Sequence, residues 1–319
     1  MAETMFSKFS GENGFISKDS FKDLCKALFL PNDVVNPEEA ERVFRHFNKK
    51  KDDKMTFDEF QACWTDWIYS VQNPKTALLV VDVQNDFISG SLALKNTPAK
   101  DDGYRVVPII NKILDDFNFD YIVYSKDWHP PDHISFVNNV NLRKMHPSSK
   151  VKAEDAKMYD IVMFDSDPPQ QQTLWPAHCV QGTEGAKIHN ELKMVEGHIT
   201  VHKGIHSDYD SYSTFFNNIG SMETELRSKL QEQGVTDVLL CGLAFDYCVK
   251  FSALDAKKLG FGVAIIRDAT GTISNDTAAE CHKDLLAAKC LIISTDQIQT
   301  YSQRKVRHPD LAFSTITSD

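Results

Sequence analysis

DVLLCGLAFDYCVKFSALDAKKL, running from Asp237 to Leu259, holds a strand, a sharp turn and a helix in one piece of chain. Val238 to Leu240 is an unbroken apolar run of the kind buried on both faces of a parallel sheet. Cys241 to Phe245 makes the turn. Asp246 reads as a helix N-cap, and Val249, Ala253, Ala256 and Leu259 recur at helical spacing until Gly260 closes the helix. Cys248 then lies in the first helical turn, where unpaired N–H groups and the positive end of the dipole favour a thiolate. A nucleophile-type side chain at a helix start, directly after a buried strand, is an arrangement used in covalent catalysis. A buried, inert cysteine is the plainer reading of the same residues.

The same grammar extends on both sides. TALLVVDV from Thr76, YIVYS (Tyr121–Ser125), HITVHK (His198–Lys203), GVAIIRDA (Gly262–Ala269) and LIIST (Leu291–Thr295) read as strands. Between them, 104–117, 222–233, 246–259 and 276–289 read as helices, the first with Val107, Ile110, Ile113 and Leu114 on one face. Residues 136–176 are polar and Pro-containing and read as a long loop. Strands alternating with helices make an α/β fold with a doubly wound, mostly parallel sheet. No GxGxxG follows the first strand, so the pattern does not support dinucleotide binding.

Residues 1–73 have a different character, rich in Phe and charge and organised as short amphipathic helices. Asn73-Pro74 marks the expected boundary between a small all-α module (1–73) and a second domain (74–319). Phe9–Phe21 and Asn48–Phe60 resemble EF-hands, in which an oxygen-rich 12-residue loop between helices binds calcium. In the second loop Asn48, Asp52, Lys54 and Glu59 fall at positions 1, 5, 7 and 12, but Lys50 puts a cation at position 3 and Asp53 replaces the turn glycine. The first loop is one residue short and carries Ser20 at its last position. The expectation is an EF-hand-like shape with a degraded calcium site.

The 319 residues suit one large or two ordinary domains, and 42% apolar with 25% charged residues is the composition of a soluble globular protein. A net charge of −10 argues against non-specific nucleic-acid binding and against an anionic membrane surface. There is no apolar run of transmembrane length and no secretory pattern in MAETMFSKFSGENG. Seven scattered cysteines do not form a disulfide framework and point to a reducing compartment. The closing TSD is not a targeting address. A cytoplasmic location is expected, with nuclear entry left open.

Open α/β sheets place their sites past the carboxyl ends of the strands. Four strands deliver reactive side chains there: Asp82, the pair Asp127 and His129, Lys203, and Cys248. Each alone has an ordinary explanation as a cap or surface residue, but four on one edge are harder to dismiss. Asp82 can take the thiol proton of Cys248 and return it to a leaving group, and Lys203 can stabilise the thiolate and hold Asp82 ionised. Asp127 and His129, joined by His178 of LWPAHC, form a three-donor set suited to zinc, manganese or ferrous iron with positions left open. His133 is a fourth or supporting group. Phe87 and Trp175 are placed to sandwich a flat ring, or else to pack the core.

DVQNDF (82–87), DWHP (127–130), HISF (133–136), LWPAHCVQGTEG (174–185), KG (203–204) and GLAFDYCV (242–249) together resemble the nicotinamidases of the isochorismatase-like cysteine hydrolases. The resemblance covers about residues 76–295, and the helical extension is similar to that of EF-hand-bearing nicotinamidases of invertebrate animals. It implies that Cys248 attacks the carboxamide of nicotinamide after giving its proton to Asp82, that ammonia leaves, and that water hydrolyses the thioester to nicotinate in NAD salvage. It implies a cis peptide between Leu243 and Ala244 and an oxyanion hole from the N–H groups of Ala244 and Cys248. It also implies one divalent metal, zinc foremost, on Asp127, His129 and His178, facing the pyridine nitrogen, with Phe87 and Trp175 packing the ring. Asn85 and Asp86 belong to the same motif, and His133 stands outside the ligand set. Two other readings are a related amidohydrolase acting on a carbamoyl or ureido substrate, and a calcium-responsive adaptor with a vestigial hydrolase domain. The first has no use for the metal trio, and the second predicts losses in the triad. No partner of the helical module follows from the residues.

Overall fold

The computed structural model describes residues 1–316; the terminal Thr317-Ser318-Asp319 lies outside the described residues. In chain order the strands are β1 (Ile16–Ser17), β2 (Lys54–Met55), β3 (Thr76–Val81), β4 (Tyr121–Asp127), β5 (Ile161–Phe164), β6 (Gln170–Thr173), β7 (Ile199–Lys203), β8 (Asp237–Gly242), β9 (Gly262–Thr270) and β10 (Leu291–Ile293). Six of them form one sheet in the order β10-β9-β8-β3-β4-β7, with every neighbouring pair parallel.

The sheet is covered on both faces, and the alternation along each strand shows why. In β3, Leu78 and Val80 enter one apolar cluster while Ala77, Leu79 and Val81 enter the other. After the short α6 (Asn85–Ile88), helix α7 (Val106–Asp116) buries Val107, Ile110, Ile113 and Leu114 on the first face. Helices α8 (Leu226–Glu232), α9 (Lys250–Lys258) and α10 (Asn275–Ala287) cover the second. A strand buried on both sides reads as a continuous apolar run, as β3 and β8 do.

Three local expectations change. The helix expected over 222–233 starts only at Leu226, because Asn217 Oδ1 takes the N–H groups of Ser221 (2.8 Å) and Met222 (3.2 Å) and bends that segment into a turn. The segment 136–176 is not all loop: β5 and β6 form an antiparallel hairpin over a small core of Ile134, Val140, Val162, Phe164 and Leu174. Asp246 does not cap its own helix. Ala244 is the capping residue of a π-turn, Phe245–Val249, that runs into α9, and the Asp246 carboxylate instead accepts from Ile273 N (3.0 Å), Ser274 N (2.9 Å) and Thr277 Oγ1 (2.5 Å) at the start of α10.

The N-terminal segment holds helices α1 (Ala2–Ser10), α2 (Lys18–Leu28), α3 (Pro37–Phe47) and α4 (Phe57–Cys63), the last continued by a π-turn and α5 (Tyr69–Gln72). The two helix–loop–helix units are joined by the β1–β2 bridge, which pairs Ile16 with Met55. In the second loop the Glu59 carboxylate accepts from Lys49 N (2.9 Å), Lys50 N (3.3 Å), Thr56 N (2.9 Å) and Thr56 Oγ1 (3.0 Å). Asn48 Oδ1 accepts from Asp52 N (3.4 Å), and Asp52 Oδ1 from Lys54 N (3.2 Å). These loop oxygens are engaged by the loop's own donors.

After β10 the chain returns through α11 (Ile298–Tyr301) to α12 (Pro309–Ser314). Leu311 enters the sheet core, while its neighbours Ala312 and Phe313, with Ile316, complete the apolar core of the N-terminal helices.

Candidate active site

Sheet register brings two of the reactive side chains together before any loop contributes. Asp127, the last residue of β4, pairs with Lys203, the last of β7. Asp82 follows β3 with φ +47, and the π-turn after β8 turns Cys248 back over the same edge. Gly242 makes that turn possible, since with φ +106 a Cβ there would lie 2.1 Å from Val81 O. The Leu243–Ala244 peptide at the head of the turn is cis.

The result is a buried, connected set. Lys203 is 2% exposed, and its Nζ lies 2.8 Å from Asp82 Oδ2 and 3.2 Å from Cys248 Sγ. It also pairs with Asp127 Oδ1 and donates to Ser211 O (3.0 Å). Asp82 Oδ1 accepts from Ser125 Oγ (2.6 Å), whereas Oδ2 takes no hydrogen bond despite the nearby ammonium. A carboxylate oxygen of Asp82, one of Asp127 and Cys248 Sγ all lie within 4.8 Å of one another.

Burial sets the electrostatics. It pushes the Asp82 carboxyl above the usual range, against the opposing pull of Lys203. Burial also pushes the Cys248 thiol up, against the pull of Lys203. For Lys203 burial works downward, but Asp127, Asp82 and Cys248 together raise it and keep it an ammonium.

Asp127, His129 and His178 converge beside this set. His129 Nε2 and His178 Nε2 stand 3.4 and 3.7 Å from Asp127 Oδ2. At metal–ligand bonds near 2.1 Å, the ligands of a tetrahedral site are separated by roughly 3.4 Å, so the spacing fits a small divalent cation. Each imidazole is held by its other nitrogen, His129 Nδ1 donating to Gly204 O (2.9 Å) and His178 Nδ1 to Pro176 O (2.8 Å). Both Nε2 lone pairs are thereby left for a ligand bond. Gln84 fixes Asp127 from behind, accepting from its N–H and donating to its carbonyl, each at 2.8 Å. Asp86 holds the His178 loop by accepting from Cys179 N (2.7 Å). Asn85 Nδ2 donates to Glu184 O (2.9 Å) in the adjoining loop. His133 stacks on His129 at 4.0 Å, with Nδ1 on Ser135 Oγ (2.7 Å) and Nε2 near Tyr209 O (3.3 Å).

Phe87 and Trp175 reach the same cavity, together with Leu92, Asp210, Tyr212, Tyr247 and Ile273. The last five were missed in the sequence reading. Trp175 meets Tyr247 edge-to-face at 4.9 Å, and its Nε1 donates to Tyr212 Oη (3.2 Å). The hairpin has a task here: Gln172 in β6 donates to Asp210 Oδ2 (2.8 Å). The cavity is narrow, measuring about 20 Å³. A cleft of about 740 Å³ lies in the N-terminal module among Lys18, Glu41, Arg42 and Arg45, remote from the nucleophile and the donor trio.

Residues 76–297 match the isochorismatase domain, and the chain belongs to that family. Within it, the similarity is to nicotinamidases. The nicotinamidase of Acinetobacter baylyi is 35% identical over 224 residues, covering 70% of this chain and 94% of that relative. The structure of an Acinetobacter baumanii nicotinamidase superposes with a TM-score of 0.60 at 32% identity, covering 71% of this chain and 99% of the other. The pyrazinamidase of Pyrococcus horikoshii in complex with zinc superposes with a TM-score of 0.51 at 29% identity, covering 69% of this chain and 100% of the other.

Proposed function

We propose that the chain hydrolyses nicotinamide to nicotinate and ammonia through a thioester on Cys248, as the cysteine amidohydrolase of an NAD salvage route. The observation that carries the reading is the contact of Lys203 with Cys248, Asp82 and Asp127 at one sheet edge, beside three metal-type donors. The trio favours nicotinamide over a carbamoyl or ureido substrate, which has no ring nitrogen for it to hold.

Cys248 rests as a thiol, because burial disfavours the thiolate. The Asp82 carboxylate takes the Sγ proton as sulfur bonds to the carboxamide carbon, and burial makes it a stronger base than an exposed one. The N–H groups of Ala244 and Cys248 receive the oxyanion. Asp82 passes the proton to the departing nitrogen as the C–N bond breaks, and ammonia leaves. A water then adds to the thioester, Asp82 takes its proton, and the C–S bond breaks to give nicotinate and the thiol. Lys203 stays charged throughout and offsets the carboxylates on either side. Asp127, His129 and His178 would hold a divalent metal, zinc in this reading, and bound there it would supply a Lewis-acid anchor for the pyridine nitrogen. Phe87 and Trp175 flank the ring.

Residues 1–73 form an EF-hand-like module and 74–319 the hydrolase domain in this reading. The occupied carboxylate of Glu59 favours a second loop that closes on its own backbone without calcium.

Ammonia release from nicotinamide tests the proposal, with Cys248→Ala and chelated enzyme beside the wild type. Turnover should vanish in the variant and fall at least 100-fold on chelation, returning with added zinc. Turnover by folded Cys248→Ala would overturn the covalent mechanism, and no release by zinc-loaded wild type would overturn the substrate.

A further inference from the structure

We propose that the N-terminal module is a helix-binding groove whose ligand is the chain's own segment Pro309–Ile316. Two kinds of contact make this more than packing between domains. The first is an aromatic anchor: the Phe313 ring lies 5.5 Å from Phe29 and 5.5 Å from Trp67. The second is directed at backbone. Trp67 Nε1 donates to Ala312 O (3.0 Å), and the Arg42 guanidinium donates to Phe313 O (2.7 Å) and to Ile316 O. The last carbonyls of a helix have no partner within it. In α12 the following turn meets part of this need, Thr315 Oγ1 donating to Ala312 O (2.8 Å) and Ile316 N to Phe313 O (3.2 Å); Trp67 and Arg42 add second donors to the same two carbonyls, so the groove reads the carboxyl end of the helix.

The segment is built as a peg. Leu311 is buried in the sheet core, whereas Ala312, Phe313 and Ile316 are buried in the module. From the α9 side, Lys257 Nζ donates to Ser314 Oγ (2.7 Å). The approach is pinned by Arg304 on Asp33, and by Arg307, which binds Asp237 through its guanidinium and Val71 O through its N–H (2.8 Å). This is the helix-in-groove mode of peptide recognition, met within one chain. A covalently attached ligand acts at an effective concentration near millimolar, so a free copy of the segment competes poorly with it. The site therefore takes an outside peptide only when the inside one is weakened: a short helix with an aromatic anchor close to its carboxyl end.

The test uses a fluorescein-labelled peptide of residues 305–316, titrated by anisotropy into wild type, full-length Phe313→Ala, and the chain ended after Gln303. Circular dichroism reads folding independently of activity. Apparent affinity for Phe313→Ala and for the shortened chain should exceed that for wild type at least tenfold. Adding Arg42→Ala to Phe313→Ala should remove most of the gain, and a peptide carrying Phe313→Asp should not bind. If the shortened chain does not fold, Phe313→Ala decides. Folded Phe313→Ala that binds the peptide no better than wild type, or that binds the Phe313→Asp peptide equally, overturns the proposal.

Discussion

Replacing Asp246 by alanine should lower stability through a helix that Asp246 does not belong to. The carboxylate is 3% exposed and serves Ile273 N, Ser274 N and Thr277 Oγ1. In Asp246→Ala the Thr277 hydroxyl keeps its bond to Ser274 O (3.1 Å) and loses little. Ile273 N–H is left buried and unpaired, which costs about 1–3 kcal/mol, while the half-buried Ser274 N–H is partly rescued by water. The sum is about 2–4 kcal/mol, or roughly 3–6 °C in Tm for a chain of this size. Asp246→Asn keeps one acceptor oxygen and should lose about half as much. Scanning calorimetry at pH 7 checks both. Cys248 keeps its place in the turn, so folded Asp246→Ala should retain turnover that Cys248→Ala lacks. A Tm within 1 °C of wild type would refute the reasoning, because it would mean that the α10 start is satisfied without Asp246.

Gly242→Ala should yield insoluble or inactive protein, since the new methyl group would meet Val81 O in a left-handed backbone; wild-type Tm in that variant would contradict the geometry. Lys203→Met should abolish ammonia release and destabilise the fold by about 3–5 kcal/mol in urea titrations, because Asp82 and Asp127 would lose their buried counter-ion. Equal stability would show that the carboxylates do not need it. Burial lowers the Lys257 amine to about 8, below the roughly 10.4 of an unfolded lysine. Between those values the unfolded chain binds more protons, so wild-type stability gains on Lys257→Met as pH rises from 8 to 10.5. The variant should be the more stable at pH 7, by about 1–2 kcal/mol after solvent screening. A stability difference that is flat from pH 7 to 10 would refute the assignment.

The sheet was legible because buried parallel strands announce themselves as apolar runs, as β3 and β8 do along most of their length and β4 and β9 do in their first halves. Chain order then placed Asp82, Asp127, Lys203 and Cys248 at one edge, and the structure brings them within contact. What could not be read depends on partners far away in sequence. Nothing around Asp246 names Ile273 and Ser274 as its acceptors' donors, and an Asp before a helical pattern reads by default as that helix's cap. Tyr212 and Tyr247 reach the cavity from a loop and a π-turn, neither of which has a period to betray its inward face. The β5–β6 hairpin is short, and its second strand, QQQT, carries no apolar alternation. The boundary at Pro74 follows a real change in pattern, yet the apolar core on its N-terminal side is completed by Phe313 and Ile316.

That last arrangement sets an order of events during synthesis. The N-terminal helices leave the ribosome before the sheet domain, but the aromatic ring that fills the gap between Phe29 and Trp67 is made about 240 residues later. At roughly 5–20 residues per second, the wait is about 10–50 s. Throughout it the nascent module presents an apolar cup, with the Trp67 indole N–H at its edge, to whatever lies near. A chaperone that shields apolar surface would have its longest call on these helices, which are made before the sheet and finished after it.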